Sequence, residues 1–180
     1  MEQLKNKRIL IVDDTEDIHE AFKCAFEIKS KVTNEKYNKI ISNLFGRQPE
    51  NSAIDDLPMQ LPEFDLDSAF QGEEAIEKVK KSVEEDRPYA LVFMDVRMPP
   101  GIDGIETLKR VWEIDKNIEA IICTAYSDYN LTNLSKKLGY THQLLLIKKP
   151  FEVEEIQQIA LAQVMKWNWK MPYCKKNNYK

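Results

Sequence analysis

Polar residues suited to phosphoryl chemistry follow four short apolar runs of this 180-residue chain. Grouped by the run that they follow, these residues are Asp13 and Asp14, then Asp95, then Thr124, then Lys149. Short apolar runs separated by helical patterns are typical of buried parallel strands, and ligands bind beyond the carboxyl ends of such strands. If the four strands are neighbours, three carboxylates, a hydroxyl and an ammonium converge in one pocket. This set suits a divalent metal ion and a phosphoryl group carried by Asp95.

The stretches between these runs predict the helices that position the pocket. Strands are expected near 7–13 and 64–70 and in the runs before Asp95, Thr124 and Lys149. Helices are expected from about 16 onward and over about 72–85, 104–114, 128–138 and 153–167. Gly139 is the expected stop of the fourth helix. Right-handed crossovers then place helices on both faces of the sheet.

Four segments resemble the receiver domain of two-component response regulators: ILIVDDTEDIHEAF, LVFMDVRMPPGIDGIETLKRV, ICTAYSDY and LLIKKPF. The resemblance covers roughly residues 7–167. It implies an α/β, flavodoxin-like doubly wound (βα)5 fold, with five parallel strands in the order 2-1-3-4-5. The PPG-x-DG and CTAYSDY wording is similar to receivers linked to histidine kinases or cyclic-dinucleotide enzymes.

The resemblance also assigns roles to the polar residues. Asp95 is expected to be the phosphoacceptor, whose carboxylate attacks the phosphorus of a phosphohistidine and becomes an aspartyl phosphate. The implied cofactor is Mg²⁺, which prefers oxygen ligands and keeps several waters. By resemblance, Asp14 and Asp95 bind the metal ion directly and Asp13 holds a coordinated water. The backbone carbonyl of Arg97 completes the ligands from the protein.

Two further roles concern the phosphoryl oxygens. Lys149 offers a point charge for a phosphate oxygen and precedes Pro150, as in the KPF signature of the family, so it is preferred over Lys148. The Lys149–Pro150 peptide bond is expected to be cis, as in similar receivers. Thr124 is expected to donate a hydrogen bond to the phosphoryl group and to be the moving part of a switch.

Two segments depart from a minimal receiver. Residues 29–62 form an insertion between the first helix and the second strand, where a few residues would suffice. Residues 33–45 of this insertion have apolar residues at helical spacing, and 46–62 are typical of a loop. An extended first helix with a surface excursion and a docking surface for a partner both remain open. The loop at 99–104 is one residue longer than the common form, which should alter the loop after Asp95.

Composition and the chain ends narrow the class of protein. A net charge of −4 argues against nucleic-acid binding, and neither a signal peptide nor a membrane span is expected. The three cysteines have no paired spacing, which favours a reduced, cytoplasmic protein.

We expect a receiver domain at 1–167 and a basic tail at 168–180. Trp167 and Trp169 would either serve a homodimer or a downstream helix, or cap the core of the domain. His19 is expected to be a surface or capping residue.

These observations predict a phosphoacceptor rather than an enzyme, with at most self-catalysed phosphotransfer and autodephosphorylation. Its partners would be a histidine kinase or a histidine phosphotransfer protein, and an output domain or partner protein would respond to a change of its surface. Haloacid-dehalogenase-like phosphatases also use an aspartate nucleophile, but they need a second aspartate two residues later as the acid/base. This chain has Arg97 at that position, which argues against an enzyme of that class. The alternative is a pseudo-receiver that binds partners without phosphorylation.

Overall fold

Five strands alternate with five helices in the described part of the chain, which comprises residues 4–27, 35–36, 39–40, 42–44, 62–125, 131–139 and 141–177 of a computed structural model. The elements are β1 (Arg8–Val12), α1 (Glu16–Glu27), β2 (Asp65–Ala69), α2 (Gly72–Glu84), β3 (Leu91–Asp95), α3 (Gly104–Ile114), β4 (Glu119–Thr124), α4 (Leu131–Leu138), β5 (Leu144–Lys148) and α5 (Val153–Asn177).

The strands form one parallel sheet in the order β2-β1-β3-β4-β5, as the resemblance implied. The register places Asp95 beside Cys123 and Thr124 beside Lys148. Because every strand runs in the same direction, the residues that follow β1, β3, β4 and β5 lie along one edge of the sheet.

The sheet is covered on both faces, which explains why its strands are apolar runs rather than alternating patterns. One face packs against α1 and α5, where Phe22 contacts the rings of Phe93 and Phe151 at centroid distances of 4.7 and 5.3 Å. The other face packs against α2, α3 and α4 through residues such as Leu108 and Leu134. Both core clusters are buried, so the edge that carries the polar residues stands on a rigid support.

Two helix ends follow directly from sequence signals. Asp103 caps the N-terminus of α3, where its side chain accepts a hydrogen bond from the backbone N–H of Glu106 at 2.8 Å. Gly139 follows α4 with φ +79°, and its N–H donates to the carbonyl of Ser135, which confirms the predicted stop. The expected start of this helix near 128 lies outside the described residues, which resume at Leu131.

The last helix extends beyond the predicted end at Trp167 and reaches Asn177, so that prediction is wrong. The extension is held by contacts with residues that are distant in the sequence, which the local sequence pattern does not indicate. Asn168 accepts hydrogen bonds from the backbone N–H groups of Lys5 and Asn6, and Lys170 pairs with Glu119. Trp167 is buried in the core, whereas Trp169 is 61% exposed. The expectation that one tryptophan caps the core therefore holds for Trp167.

Residues 35–36, 39–40 and 42–44 of the insertion are helical, and they lie against α1. Lys36 pairs with Glu20 at 2.5 Å, and Ile40 and Leu44 pack against the core cluster that α1 shares with α5. These contacts agree with the helical spacing predicted for 33–45. Most of the insertion, including the loop predicted at 46–62 up to residue 61, lies outside the described residues.

No helix in the described ranges combines the length and apolar character required to cross a membrane.

Candidate functional site

A cavity of about 450 Å³ opens at the edge of the sheet where β1, β3 and β5 end. It brings together the three predicted carboxylates and the predicted lysine. The residues that line it are Asp13, Asp14, Thr15, Ile18, Leu44, Asp95, Arg97, Pro99, Ala125 and Lys149. Leu44 belongs to the insertion, so the insertion contributes to the rim of the site.

Lys149 joins two of the carboxylates. Its ammonium nitrogen lies 2.5 Å from Oδ2 of Asp13 and 2.6 Å from Oδ1 of Asp95. All three side chains are at most 12% exposed. Lys148 is exposed, which agrees with the choice of Lys149, and the Lys149–Pro150 peptide bond is cis, as predicted.

Backbone donors hold the remaining carboxylate oxygens of this cluster. Oδ2 of Asp95 accepts a hydrogen bond from the N–H of Arg97 at 2.6 Å, and Oδ1 of Asp13 accepts one from the N–H of Thr15 at 3.0 Å. Each carboxylate is therefore fixed by both the lysine and the backbone of the following loop. Asp14 is exposed at the rim, where the hydroxyl of Thr15 donates to its Oδ1 at 3.3 Å.

The charges of the cluster are out of balance. Burial raises the pKa of the Asp95 carboxyl above its ordinary value; the ammonium of Lys149 opposes this shift, and the charge of Asp13 adds to it. Burial also works against the charged form of Lys149, but the carboxylates of Asp13 and Asp95 outweigh it and raise the pKa of the ammonium. Two carboxylates thus share one cation, and a further positive charge would be stabilised there.

The structure brings Thr124 to the site through its backbone. Thr124 is the buried last residue of β4, and its carbonyl accepts a hydrogen bond from the N–H of Lys149 at 2.9 Å. The next residue, Ala125, lines the cavity, whereas Thr124 itself is not among the lining residues. The proposed role of its hydroxyl therefore stays a prediction.

His19 is buried beneath the site, so the prediction of a surface or capping residue is wrong. Its Nε2–H donates to the backbone carbonyl of Asp13 at 2.8 Å, and its ring lies 4.4 Å from that of Phe70. Burial lowers the pKa of the imidazole, which favours the neutral form. The helical spacing of His19 with Phe22 and Phe26 was the signal for burial, because these positions share one face of α1.

The donor set of the cavity fits a hard divalent cation. Mg²⁺ prefers oxygen ligands and retains waters, so Asp13, Asp14, Asp95 and the carbonyl of Arg97 are suitable ligands. Within the described residues, no three His, Cys, Asp or Glu side chains are already grouped as a metal site. Lys149 lies between Asp13 and Asp95, and Asp14 is exposed at the rim. The fit therefore rests on the donor types and the excess negative charge.

Comparison with known proteins agrees with this geometry. Residues 52–161 match the response regulator receiver domain family, and β1 with its acidic pair precedes that match. Sporulation initiation phosphotransferase F of Bacillus subtilis is 43% identical over 90 residues, which are 49% of this chain and 64% of the relative. Chemotaxis protein CheY of Thermotoga maritima is 32% identical over 98 residues, which are 54% of this chain and 73% of the relative.

A solved structure shows the same fold over nearly the whole chain. The receiver domain protein (CheY-like) from Methanospirillum hungatei JF-1 has a TM-score of 0.60 at 18% identity, covering 92% of this chain and 99% of that one. The chain spans slightly less than two thirds of the Bacillus relative, and the family match covers more than half of the chain. The chain therefore belongs to the response regulator receiver domain family of two-component signalling.

Proposed function

We propose that this receiver accepts a phosphoryl group on Asp95 from a phosphohistidine. The observation that carries the proposal is the contact of one buried ammonium, that of Lys149, with the carboxylates of both Asp13 and Asp95. A purely structural ion pair needs one carboxylate for each lysine. A second carboxylate on the same cation leaves negative charge that suits a cation-assisted phosphoryl site.

The transfer needs a nucleophile, a leaving group and neutralisation of charge. An Asp95 carboxylate oxygen forms the new bond to phosphorus while the P–N bond of the phosphohistidine breaks. The electron pair of that bond stays on the imidazole nitrogen of the donor, which then takes up a proton from water. The backbone N–H of Arg97 holds the other oxygen of Asp95 and thereby orients the nucleophile.

Lys149 is suited to follow the charge as it moves. Before transfer its ammonium contacts Asp95, and after transfer it would contact a phosphoryl oxygen while Asp13 remains its second partner. Two unit charges ~4 Å apart at an effective dielectric constant of ~20 attract each other by about 4 kcal/mol. When bound by the acidic residues, Mg²⁺ would supply further neutralisation of the phosphoryl charge.

We further propose that the donor is a histidine kinase or a histidine phosphotransfer protein, and that the chain is not an enzyme with a separate substrate. The name of the Bacillus relative, a phosphotransferase of sporulation initiation, supports a place in a phosphorelay. In this proposal Thr124 transmits the change to the surface, where an output domain or partner protein responds. Its backbone bond to Lys149 supports that role.

Mass spectrometry after treatment with acetyl phosphate and Mg²⁺ tests the proposal. The wild-type chain should gain one phosphoryl group, and Asp95→Asn should gain none. Asp14→Asn should reduce the yield at limiting Mg²⁺, because it removes one of the proposed ligands. Full modification of Asp95→Asn would refute the acceptor, and an unmodified wild type would favour the pseudo-receiver alternative.

A further inference from the structure

The turn that follows the phosphoacceptor strand is held by two side chains from the start of α2. Nε2 of Gln71 donates to the carbonyl of Pro99 at 3.2 Å, and Oε1 of Gln71 accepts from the N–H of Gly101 at 3.1 Å. Oε1 of Glu73 accepts from the N–H of Ile102 at 3.3 Å. We call this set of three hydrogen bonds the Gln71–Glu73 brace. It connects residues about thirty positions apart in the sequence.

The braced turn belongs to the wall of the phosphoryl cavity. Pro99 lines the cavity, and so does Arg97, which lies two residues before it. On the other side of the turn, the N–H of Gly104 donates to the carbonyl of Val96 at 2.9 Å. The loop is thus closed at its base by a backbone bond and held at its tip by the brace.

We propose that Gln71 and Glu73 are positioning residues for the cation and phosphoryl site, which they influence through the loop that carries Arg97. The inference rests on the proposed function, because it concerns the loop that would supply the carbonyl of Arg97 to a metal ion. Groups that orient metal ligands from outside the first coordination sphere change metal affinity by about 10- to 100-fold when they are removed. The brace bonds to backbone atoms of the turn, so it does not depend on the side chains there. A side chain in the turn matters only where it would collide with Gln71 or Glu73.

Space is limited at Gly101. A Cβ atom at this position would lie 2.6 Å from Oε1 of Gln71 and 2.6 Å from Oε2 of Glu73. The φ of Gly101 lies outside the left-handed region, so an alanine fits the backbone there. Gly101→Ala should therefore push both side chains away and release the brace while the backbone keeps its path.

A surface contact without a role at the site is the competing explanation. Gly101 and Glu73 are exposed, and a hydrogen bond in such a place contributes little to the stability of the fold. Loss of the brace should consequently leave the fold intact. The two explanations differ in whether loss of the brace weakens the affinity for Mg²⁺, which would bind at the other end of the loop.

The experiment compares Gln71→Ala, Glu73→Ala and Gly101→Ala in the full chain. We measure Mg²⁺ affinity by NMR titration, hydrogen exchange of the amides of Gly101 and Ile102 without metal, and the melting temperature. Exchange should be faster at residue 101 in Gln71→Ala, at Ile102 in Glu73→Ala, and at both positions in Gly101→Ala. Each variant should bind Mg²⁺ about tenfold more weakly. The melting temperature should change little. Because the exchange is measured without Mg²⁺, it reports the brace directly.

Two controls share the chemistry of the variants but keep the brace. Glu73→Gln retains the accepting oxygen for Ile102 and should behave as the wild type. Glu77→Ala removes an exposed carboxylate of the same helix at a position outside the brace. The double variant Gln71→Ala with Gly101→Ala should bind Mg²⁺ no more weakly than Gly101→Ala alone, because Gly101→Ala already removes the hydrogen bonds of Gln71.

The outcomes separate this inference from the proposed function. Wild-type Mg²⁺ affinity in all three variants, with normal binding and phosphorylation of the wild type, would overturn the brace and leave the phosphoacceptor in place. Failure of the wild type to bind Mg²⁺ or to accept phosphate would overturn both. Equal weakening by Glu77→Ala would also overturn the brace, because a general effect of charge would then explain the result.

Discussion

The ammonium nitrogen of Lys149, which follows β5, lies 2.6 Å from Oδ1 of Asp95, the last residue of β3. The lysine reaches this oxygen because the parallel strands β3 and β5 end at the same edge of the sheet. Its second contact, to Asp13, gives the ammonium a buried partner besides Asp95. In the proposed function this second contact would hold the ammonium while the charge on Asp95 changes.

Replacing Lys149 by methionine should slow phosphorylation of Asp95 by acetyl phosphate by on the order of 100-fold, because one charged donor to the developing phosphoryl charge is lost. The initial rate at saturating Mg²⁺, followed by mass spectrometry, measures this. Lys148→Met is the matched control, since Lys148 is the exposed neighbour. A similar rate for both variants would contradict the assignment of Lys149.

Asp95→Asn should be more stable than the wild type at about pH 7 in the absence of metal. This pH lies well above the ordinary aspartate pKa of about 3.9. The pKa of Asp95 is raised in the fold, mainly by burial, so the folded state binds this proton more tightly than the unfolded chain. The stability from this group is present below the ordinary pKa and is lost as pH rises through the folded pKa. The asparagine variant avoids that loss, so its advantage should narrow as the pH falls to about 4.

Melting temperatures measured in chelator across this pH range test the prediction. Asp14→Asn serves as the control, because Asp14 is exposed at the rim of the same cavity. If the wild type melts above Asp95→Asn at neutral pH, attraction by Lys149 exceeds the penalty of burial and the stated sign is wrong.

Asp103→Ala should destabilise the protein by about 1 kcal/mol, because it removes the N-cap of α3. The side chain of Asp103 accepts from the N–H of Glu106 at 2.8 Å, and alanine offers no acceptor. Urea denaturation gives the difference. Asp103→Ser restores a capping oxygen and should recover most of the loss; equal destabilisation by alanine and serine would show that the cap is not the cause.

Removing both lysines that face Glu119 should destabilise the fold by about 3 kcal/mol, since it leaves a buried carboxylate without a charged partner. Glu119 is fully buried, and its two oxygens lie 2.7 Å from Lys166 and 3.0 Å from Lys170. The single variants Lys166→Met and Lys170→Met should each lose less stability, because the other lysine still faces Glu119.

Denaturant melts of the two single variants, the double variant and a triple variant with Glu119→Met measure this coupling. The triple variant should recover much of the loss, because no buried charge then remains. If the double variant is no less stable than the single variants, Glu119 does not depend on Lys166 and Lys170 for its stability in the core, and the prediction is wrong.

The sequence predicts the sheet and the polar cluster because both depend on which residues directly follow one another along the chain. Each apolar run ends directly on a site residue, so strand direction alone brings Asp13, Asp95 and Lys149 to one edge. Caps such as Asp103 and stops such as Gly139 act within one turn of their helices and are visible in the same way.

Features that depend on contacts between distant segments were not predictable. The extension of α5 to Asn177 is held by Asn168 and Lys170, whose partners lie at the N-terminus of the described chain and at the start of β4. The brace of Gln71 likewise reaches the backbone of Gly101, and a backbone partner leaves no pattern of side chains to detect. Only His19 carried a local signal, its position on the apolar face of α1.

The buried cysteine of β4 gives the domain a chemical reporter beside its acceptor. Cys123 pairs in register with Asp95 and is almost completely buried, and burial raises the pKa of its thiol. A thiol reagent reacts with the thiolate, so labelling has to wait for the sheet to open at this position. Peptide mapping distinguishes this thiol from those of Cys24 and Cys174. The labelling rate of the unmodified chain would therefore time how often the strand next to the acceptor is exposed, without any introduced probe.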